Sequence, residues 1–149
     1  MNMNPIKQGD DLLQYIPQRH PFVMVTALYQ HEDKEVVSGL TIEERNVLVN
    51  NGLLQEGGLI ENMAQTAALY AGLKAAEAGK NAPVGFIAGI KHVLIEELPA
   101  VGQSIHTKVA IVDEVMDIQI AQAAVYGEDD RMLAKCELRI FIKKEENAG

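Results

Sequence analysis

Residues 57–79 read Gly57-Gly58-Leu59-Ile60-Glu61-Asn62-Met63-Ala64-Gln65-Thr66-Ala67-Ala68-Leu69-Tyr70-Ala71-Gly72-Leu73-Lys74-Ala75-Ala76-Glu77-Ala78-Gly79. Two glycines stand at the head of this run and Gly79 closes it, as a glycine does at a helix C-terminus. The spacing predicts one long helix over 57–78. Its body carries Ala64, Ala67, Ala68, Ala71, Ala75, Ala76 and Ala78. Alanine is the best helix former. It is also small, so such a helix can approach a sheet closely along much of its length.

The sheet is written after the helix. From 132 to 142, Met132, Ala134, Cys136, Leu138, Ile140 and Ile142 occupy every second position, with Arg131, Lys135, Glu137, Arg139 and Lys143 between and beside them, the period of a strand with one buried face. Residues 103–113 alternate through Ile105, Thr107, Val109 and Ile111. Residues 115–126 place Met116, Ile118, Ile120, Ala124 and Tyr126 on one side and Asp117 and Gln119 on the other. Short polar turns join these runs, Glu128-Asp129-Asp130 among them, so an antiparallel meander is expected. Residues 84–95 are more uniformly apolar and read as a strand covered on both faces, with His92 a core histidine. Upstream, 22–30 and 34–42 are strand candidates joined by the turn His31-Glu32-Asp33. Asp10 to Tyr15 reads as a short helix ended by Pro17. The expected class is α+β, with a long central helix wrapped by a curved antiparallel sheet of about six strands, in a single domain over 1–149.

Composition sets limits. With 149 residues, 48% hydrophobic and 23% charged, the chain can bury a core and is not a disordered polymer. Thirteen Lys plus Arg against twenty-one Asp plus Glu give a net charge of −8, which argues against nucleic-acid binding and against docking on anionic membranes. The longest uninterrupted apolar runs, 67–73 and 84–90, hold seven residues each, too few to span a bilayer. The N-terminal stretch has no hydrophobic signal core. Cys136 is the single cysteine, so no internal disulfide forms, and a reducing, cytoplasmic setting is expected. On the apolar side of its strand it reads as inert core. The four histidines, His20, His31, His92 and His106, have no metal-ligand spacing. No metal and no cofactor is expected. Ser38 and Ser104 lack a nucleophile elbow, and there is no glycine-rich phosphate loop.

Glu61 and Gln65 are four residues apart and share a helix face. A carboxylate among Gly58, Leu59, Ile60 and Met63 feels desolvation against its anion and the helix dipole in favour of it. It reads either as a general base or as a first-turn Glu that complements the dipole. Gly57 and Gly58 bring unhindered N–H groups to the helix start, where a developing oxyanion can be held, or else supply loop flexibility. His31 falls in a charged turn and His106 on the polar side of its strand, both expected in solvent. His20 lies in Ile16-Pro17-Gln18-Arg19-His20-Pro21-Phe22, a loop stiffened by two prolines, and is the first choice for a second catalytic group.

Four segments, in order, resemble the hotdog-fold 3-hydroxyacyl-acyl carrier protein dehydratases of the FabZ/FabA type. Ile16-Pro17-Gln18-Arg19-His20-Pro21-Phe22-Val23-Met24-Val25 is similar to the family's L-P-H-R-Y-P-F-L-L-V. Asn46-Val47-Leu48-Val49-Asn50 is similar to N-V-S-x-N. Leu59-Ile60-Glu61-Asn62-Met63-Ala64-Gln65 is similar to I-L-E-A-M-A-Q. Phe86-Ile87-Ala88-Gly89-Ile90, followed by Leu98-Pro99-Ala100-Val101-Gly102-Gln103, is similar to an F-A-G-I strand and a P-V-x-P-G-D turn. The family's G-H-F-P-G loop, which carries its catalytic histidine, has no counterpart. The stretch there is Asn51-Gly52-Leu53-Leu54-Gln55-Glu56-Gly57-Gly58, shorter and without histidine. Gln18 replaces the histidine of P-H-R. In this the chain is similar to the divergent hotdog dehydratase-like proteins of polyene-type pigment synthesis, which also have a shortened loop.

The resemblance implies a dehydratase acting on acyl chains held as thioesters on an acyl carrier protein or CoA, in fatty acid or polyene-type biosynthesis. It implies a homodimer or higher even oligomer with an acyl tunnel at the subunit interface. Glu61 takes the place of the helix carboxylate, with His20 as a displaced second group. Gly57 or Gly58 would polarise the thioester carbonyl, and Gln65, Phe22, Phe86 and Gly89 would contact substrate. The missing histidine keeps two alternatives open. One is a hotdog thioesterase using a carboxylate and an N–H donor. The other is a non-catalytic acyl-binding subunit of a heteromeric dehydratase. Docking an acidic carrier on an acidic chain calls for a local basic patch, with Arg19, Lys74, Lys91 and Arg139 as candidates.

Overall fold

Gln55 turns the chain into α1 (Glu56–Glu77), the long helix of the computed structural model, which describes residues 4–81 and 84–143. The Gln55 side chain caps nothing in α1. It donates instead to the Asn50 and Leu53 carbonyls, 2.9 and 3.0 Å away. At the other end Gly79 takes φ +69°, and the N–H groups of Gly79 and Lys80 return to the Ala76 and Ala75 carbonyls. That is a Schellman closure, which needs the left-handed conformation glycine adopts freely.

The strands are β1 (Lys7–Gln8), β2 (Ala27–Glu32), β3 (Glu35–Thr41), β4 (Val49–Asn50), β5 (Leu53–Leu54), β6 (Val84–Ile95), β7 (Ser104–Val115), β8 (Ile118–Tyr126) and β9 (Met132–Lys143). Seven form one antiparallel sheet in the order β1-β2-β3-β7-β8-β9-β6, and β4 pairs with β5 alone. The α+β class, the central helix and the β7-β8-β9 meander are as the periodicity predicts. The two-residue β1 makes the sheet seven strands rather than six. Residues 9–14 form a 3-10 helix where a short helix is expected.

Several expectations change. Residues 22–26 are not strand: β2 starts at Ala27 and runs through His31 and Glu32, and the turn is Asp33-Lys34, with Lys34 at φ 64°. His31 therefore pairs with Val36, half-buried, with its ring edge-on to Tyr70 and Nδ1 3.4 Å from Glu77. In β8 the inward set is Ala121, Ala123 and Val125, opposite in parity to the Ile118, Ile120, Ala124 and Tyr126 side. Hydrophobic residues occupy both sides of this strand. The register Val109↔Ala123↔Cys136 decides between them by putting the small alanines under the helix.

β6 is an edge strand, not a doubly covered one. Ile87, Ile90, Val93 and Leu94 are exposed, and so is His92, which takes φ 54° beside a bulge. A uniformly apolar run reads the same whether its cover comes from its own chain or from another. His106 is buried rather than solvated. Its ring stacks on Tyr126 at 5.5 Å, and Nε2 lies 3.3 Å from Asp130 of the β8–β9 turn. Cys136 is the inert core residue expected. It packs 3.6 Å from the Met63 sulfur, and burial pushes its thiol up to about 11.

The core lies between α1 and the inward face of β3, β7, β8 and β9. The segment after the 3-10 helix crosses α1 at Gly72. A Cβ there would stand 2.0 Å from the Tyr15 carbonyl oxygen, a backbone atom that cannot swing aside.

Gly72→Ala should therefore destabilise the protein by about 1–3 kcal/mol, although alanine is the better helix former. Chemical denaturation measures it, and an unchanged midpoint would refute the close approach. Burial also holds the His106 imidazole below its ordinary value near 6.5, against the opposing pull of Asp130. The unfolded chain then binds a proton that the folded chain resists. Stability should be full above the unfolded value and fall as pH drops below about 6.5. His106→Phe, which keeps the stack on Tyr126, should flatten that slope in denaturant titrations run across the range.

Candidate active site at the start of the long helix

The face of α1 turned to the sheet carries polar residues at Asn62, Gln65 and Thr66, all fully buried. Each is paired. Asn62 Nδ2 donates to the Met24 carbonyl at 2.8 Å, and Thr107 of β7 donates to Asn62 Oδ1. Thr66 donates to the Asn62 carbonyl and shares a 2.7 Å bond with Ser38 of β3. Gln65 Oε1 accepts the Met24 N–H at 2.6 Å, and Gln65 Nε2 donates to the Phe22 carbonyl at 2.8 Å. The backbone of residues 22–24 is thus held by two helix amides as a partner strand would hold it.

Gln65 has one further bond. Its Nε2 donates to Glu61 Oε2 at 2.9 Å. Glu61 is exposed, one turn toward the N-terminus, while Gly58, Leu59 and Met63 turn into the core. The apolar company expected from the sequence therefore lies on the other faces of the helix. Glu61 is a carboxylate open to a ligand, with its position fixed from behind by Gln65. The two glycines differ. Gly58 is buried, its N–H is taken by the Gln55 carbonyl at 2.9 Å, and a Cβ there would meet Leu54 at 2.4 Å. Gly57 is exposed, and a Cβ there would meet nothing within 4 Å. Its N–H is one of the helix-start donors with no protein acceptor among the described residues.

The other expected residues fall around this centre unevenly. Phe22 exposes its ring beside its clamped carbonyl. His20, two residues away, is exposed and bonded to Asp10 at 2.8 Å. Among the described residues no hydrogen bond or ion pair joins it to Glu61. Gly89 lies at the β6 bulge, with open space where a Cβ would be. The Phe86 side chain lies outside the described residues. Of the basic candidates, Lys91 and Arg139 are neighbours across the β6–β9 pairing, with Glu137 opposite Lys91. Lys74 pairs with Asp33, Arg139 pairs with Glu137, Lys91 lies on β6, and Arg19 donates to the Ile16 and Gln18 carbonyls.

The place of the missing histidine loop is filled by β4 and β5. They form a hairpin turned by Asn51 (φ 52°) and Gly52 (φ 74°), which leads directly into α1. Asn-Gly is the strongest short hairpin signal, and it marks this hairpin in the sequence. The 62/65/66 network was missed too, although three polar residues at helical spacing on one face are its signal. Among the described residues no cluster of His, Cys, Asp or Glu could hold a metal, and no helix is long and apolar enough to cross a membrane.

Gln65→Leu should leave the buried Met24 N–H and the part-buried Phe22 carbonyl unpaired. The expected loss is about 2–6 kcal/mol in denaturant titration, at 1–3 kcal/mol for each orphaned group. A loss under about 1 kcal/mol would mean the clamp is not formed.

A family described as ApeP-like, the ApeP dehydratases, matches residues 11–148. No curated protein matches by sequence. Among solved structures, the dehydratase heterocomplex ApeI:P from Xenorhabdus doucetiae is similar with a TM-score of 0.82 at 16% identity, over 90% of this chain and 91% of that one. A hypothetical thioesterase with coenzyme A from Streptococcus pneumoniae gives 0.66 at 12% identity, over 80% and 87%. The PaaI protein of the E. coli phenylacetic acid degradation operon gives 0.65 at 7%, over 78% of each. These likenesses show the hotdog fold.

Proposed function

The chain belongs to the ApeP-like dehydratase family, and from that premise we propose that it takes part in removing water from 3-hydroxyacyl thioesters, with Glu61 as its acid/base carboxylate. The observation that carries this reading is Glu61, open to a ligand and held from behind by Gln65. In the reaction a base takes the proton from C2, the C2–C3 double bond forms, and the C3 hydroxyl leaves as water after protonation. Charge gathers on the thioester oxygen as the C2 proton departs. The free Gly57 N–H at the helix start is the donor suited to hold it. Gly58, whose N–H is engaged, supports that role less well.

Dehydration needs an acid as well as a base. Within one chain His20 is bonded to Asp10 and not to Glu61, which supports a second group supplied across a subunit interface. A heteromeric assembly is the form this takes in the reading proposed. The ApeI:P heterocomplex of Xenorhabdus doucetiae is such an assembly, and the apolar β6 edge is the surface suited to pairing, with a second copy or a different hotdog subunit. The thioester would arrive on an acyl carrier protein or on CoA, in fatty acid or polyene-type biosynthesis. A cytoplasmic setting fits these substrates. The second reading is thioester hydrolysis by Glu61 and Gly57 alone, favoured by the lack, among the described residues, of any bond between Glu61 and a histidine.

Mass spectrometry of a 3-hydroxyacyl carrier protein incubated with the protein, alone and with its hotdog partner, separates the readings. Loss of water is expected. Glu61→Gln should lower the rate by about 10²–10⁴-fold, with the melting temperature little changed. Full activity in Glu61→Gln would sink the mechanism, and free acid would replace it with hydrolysis.

A further inference from the structure

We propose that the outer face of the sheet, turned away from α1, carries a pocket for the guanidinium group of an arginine presented by a partner protein. Tyr29 and His106 are its ring walls and Glu128 is its counter-charge. The site is separate from Glu61 and does not rest on the reaction proposed above.

Strand parity places these groups together. Ser38 and Thr107 bond to Thr66 and Asn62 of α1, so Gly39 and His106, next to them on β3 and β7, stand on the opposite face. Gly39 pairs with His106, and His106 pairs with Tyr126 of β8. The room that a side chain would take at Gly39 is filled by the ring of Tyr29, whose Cε2 a Cβ there would strike. Neighbouring strands thus bring Tyr29, His106 and Tyr126 into one row. His106 is stacked on Tyr126 at 5.5 Å. Tyr29 makes no ring contact with His106 among the described residues. Instead a cavity of about 160 Å³ has both in its wall, with Ser104, Ile105 and Glu128. A gap walled by two rings suits a flat group.

The chemistry of the wall calls for a cation. Glu128 is its one carboxylate, and neither Lys nor Arg lines it. Asp130 of the same turn lies 3.3 Å from His106 Nε2. Burial holds the His106 imidazole below its ordinary value, which keeps it neutral near pH 7. With Nε2–H turned to Asp130, Nδ1 is an acceptor. Rings and acceptors around a carboxylate make a site for an organic cation. Arginine is flat, stacks on ring faces and carries five donors, whereas an ammonium is compact and strongly hydrated. The occupant is part of a chain. A second cavity of about 240 Å³ shares Ser104, Ile105 and Glu128 with the first and continues past Pro99 and Gly127. Its one base, Arg131, is paired with Glu97 and Asp129. Residues flanking a partner's arginine therefore have room beside the pocket, and the net charge of −8 favours a basic partner.

The test is an NMR chemical-shift titration of the full chain with three capped tripeptides. Their central residue is arginine, its neutral isostere citrulline, or lysine, with glycine on either side. The arginine peptide should bind about tenfold tighter than the citrulline one, with the shifts centred on Tyr29, Ser104 and His106. The lysine peptide should fall between them. Glu128→Gln keeps the shape of the wall and removes its charge, so it should bring the arginine and citrulline peptides to similar affinity. Tyr29→Leu should weaken the arginine peptide roughly three- to tenfold, and Tyr29→Phe, which keeps the ring, should restore it. A Tyr29→Leu chain with a shifted spectrum before peptide is added is set aside, and the decision passes to Glu128→Gln. Equal affinity of the arginine and citrulline peptides, lysine bound as tightly as arginine, a preference that survives Glu128→Gln, or no binding of the arginine peptide would each overturn the proposal.

Discussion

The peptide groups of Met24 are the hinge of the architecture. Residues 22–26 cross the start of α1 without belonging to a strand, and their buried backbone would carry unmet hydrogen bonds without Asn62 and Gln65. A buried unpaired peptide group costs as much as a lost hydrogen bond or more. The helix therefore presents side-chain amides where another fold would place a strand. Through Thr107 and Ser38 the same network reaches β7 and β3. Helix, crossing segment and sheet are fixed to one another at one point, and Glu61 stands directly on that point through Gln65. The position of the carboxylate is a property of the core.

The fold was legible where one physical signal had one reading. Alternation in 103–113 and 132–142 agrees with burial in β7 and β9, where Lys108, Lys135, Glu137 and Arg139 stand on the side opposite Val109, Cys136 and Leu138. In β8 both sides carry apolar residues, and only pairing with Val109 and Cys136 tells which faces the helix. In β6 a uniformly apolar run predicts cover on both faces, whereas the strand stands at the sheet edge with Ile87, Ile90, Val93 and Leu94 exposed. His106 was misplaced because strand parity says which side a residue takes and says nothing of what lies over that side. Tyr126 and the turn at Asp130 lie over it.

The candidate site was legible in part. Glu61 and Gln65 were found by their spacing, and the structure joins them. Gly57 and Gly58 could not be told apart in sequence. They differ only through Leu54 and the Gln55 carbonyl, which are tertiary and capping partners. His20 was chosen for a stiff loop and turned out to face Asp10, a residue of a different element. Gln18 Oε1 is buried and has no hydrogen-bond partner among the described residues, which no spacing reveals for the same reason. Whether an amide finds a partner depends on the shape of the space around it, and no residue pattern records that shape.

The β6 edge bears on how much of this protein a cell can hold. A twelve-residue edge with exposed Ile87, Ile90, Val93 and Leu94 is a hydrogen-bonding template as well as an apolar surface. A partner chain that paired with such an edge would stabilise the folded chain by mass action, to a degree set by the partner's concentration. Synthesis in step with such a partner would keep the template filled. Synthesis in excess leaves copies whose most available match is another copy of themselves. The ratio in which such chains were made would then decide which assembly formed, and the residues concerned lie on β6 and not on α1.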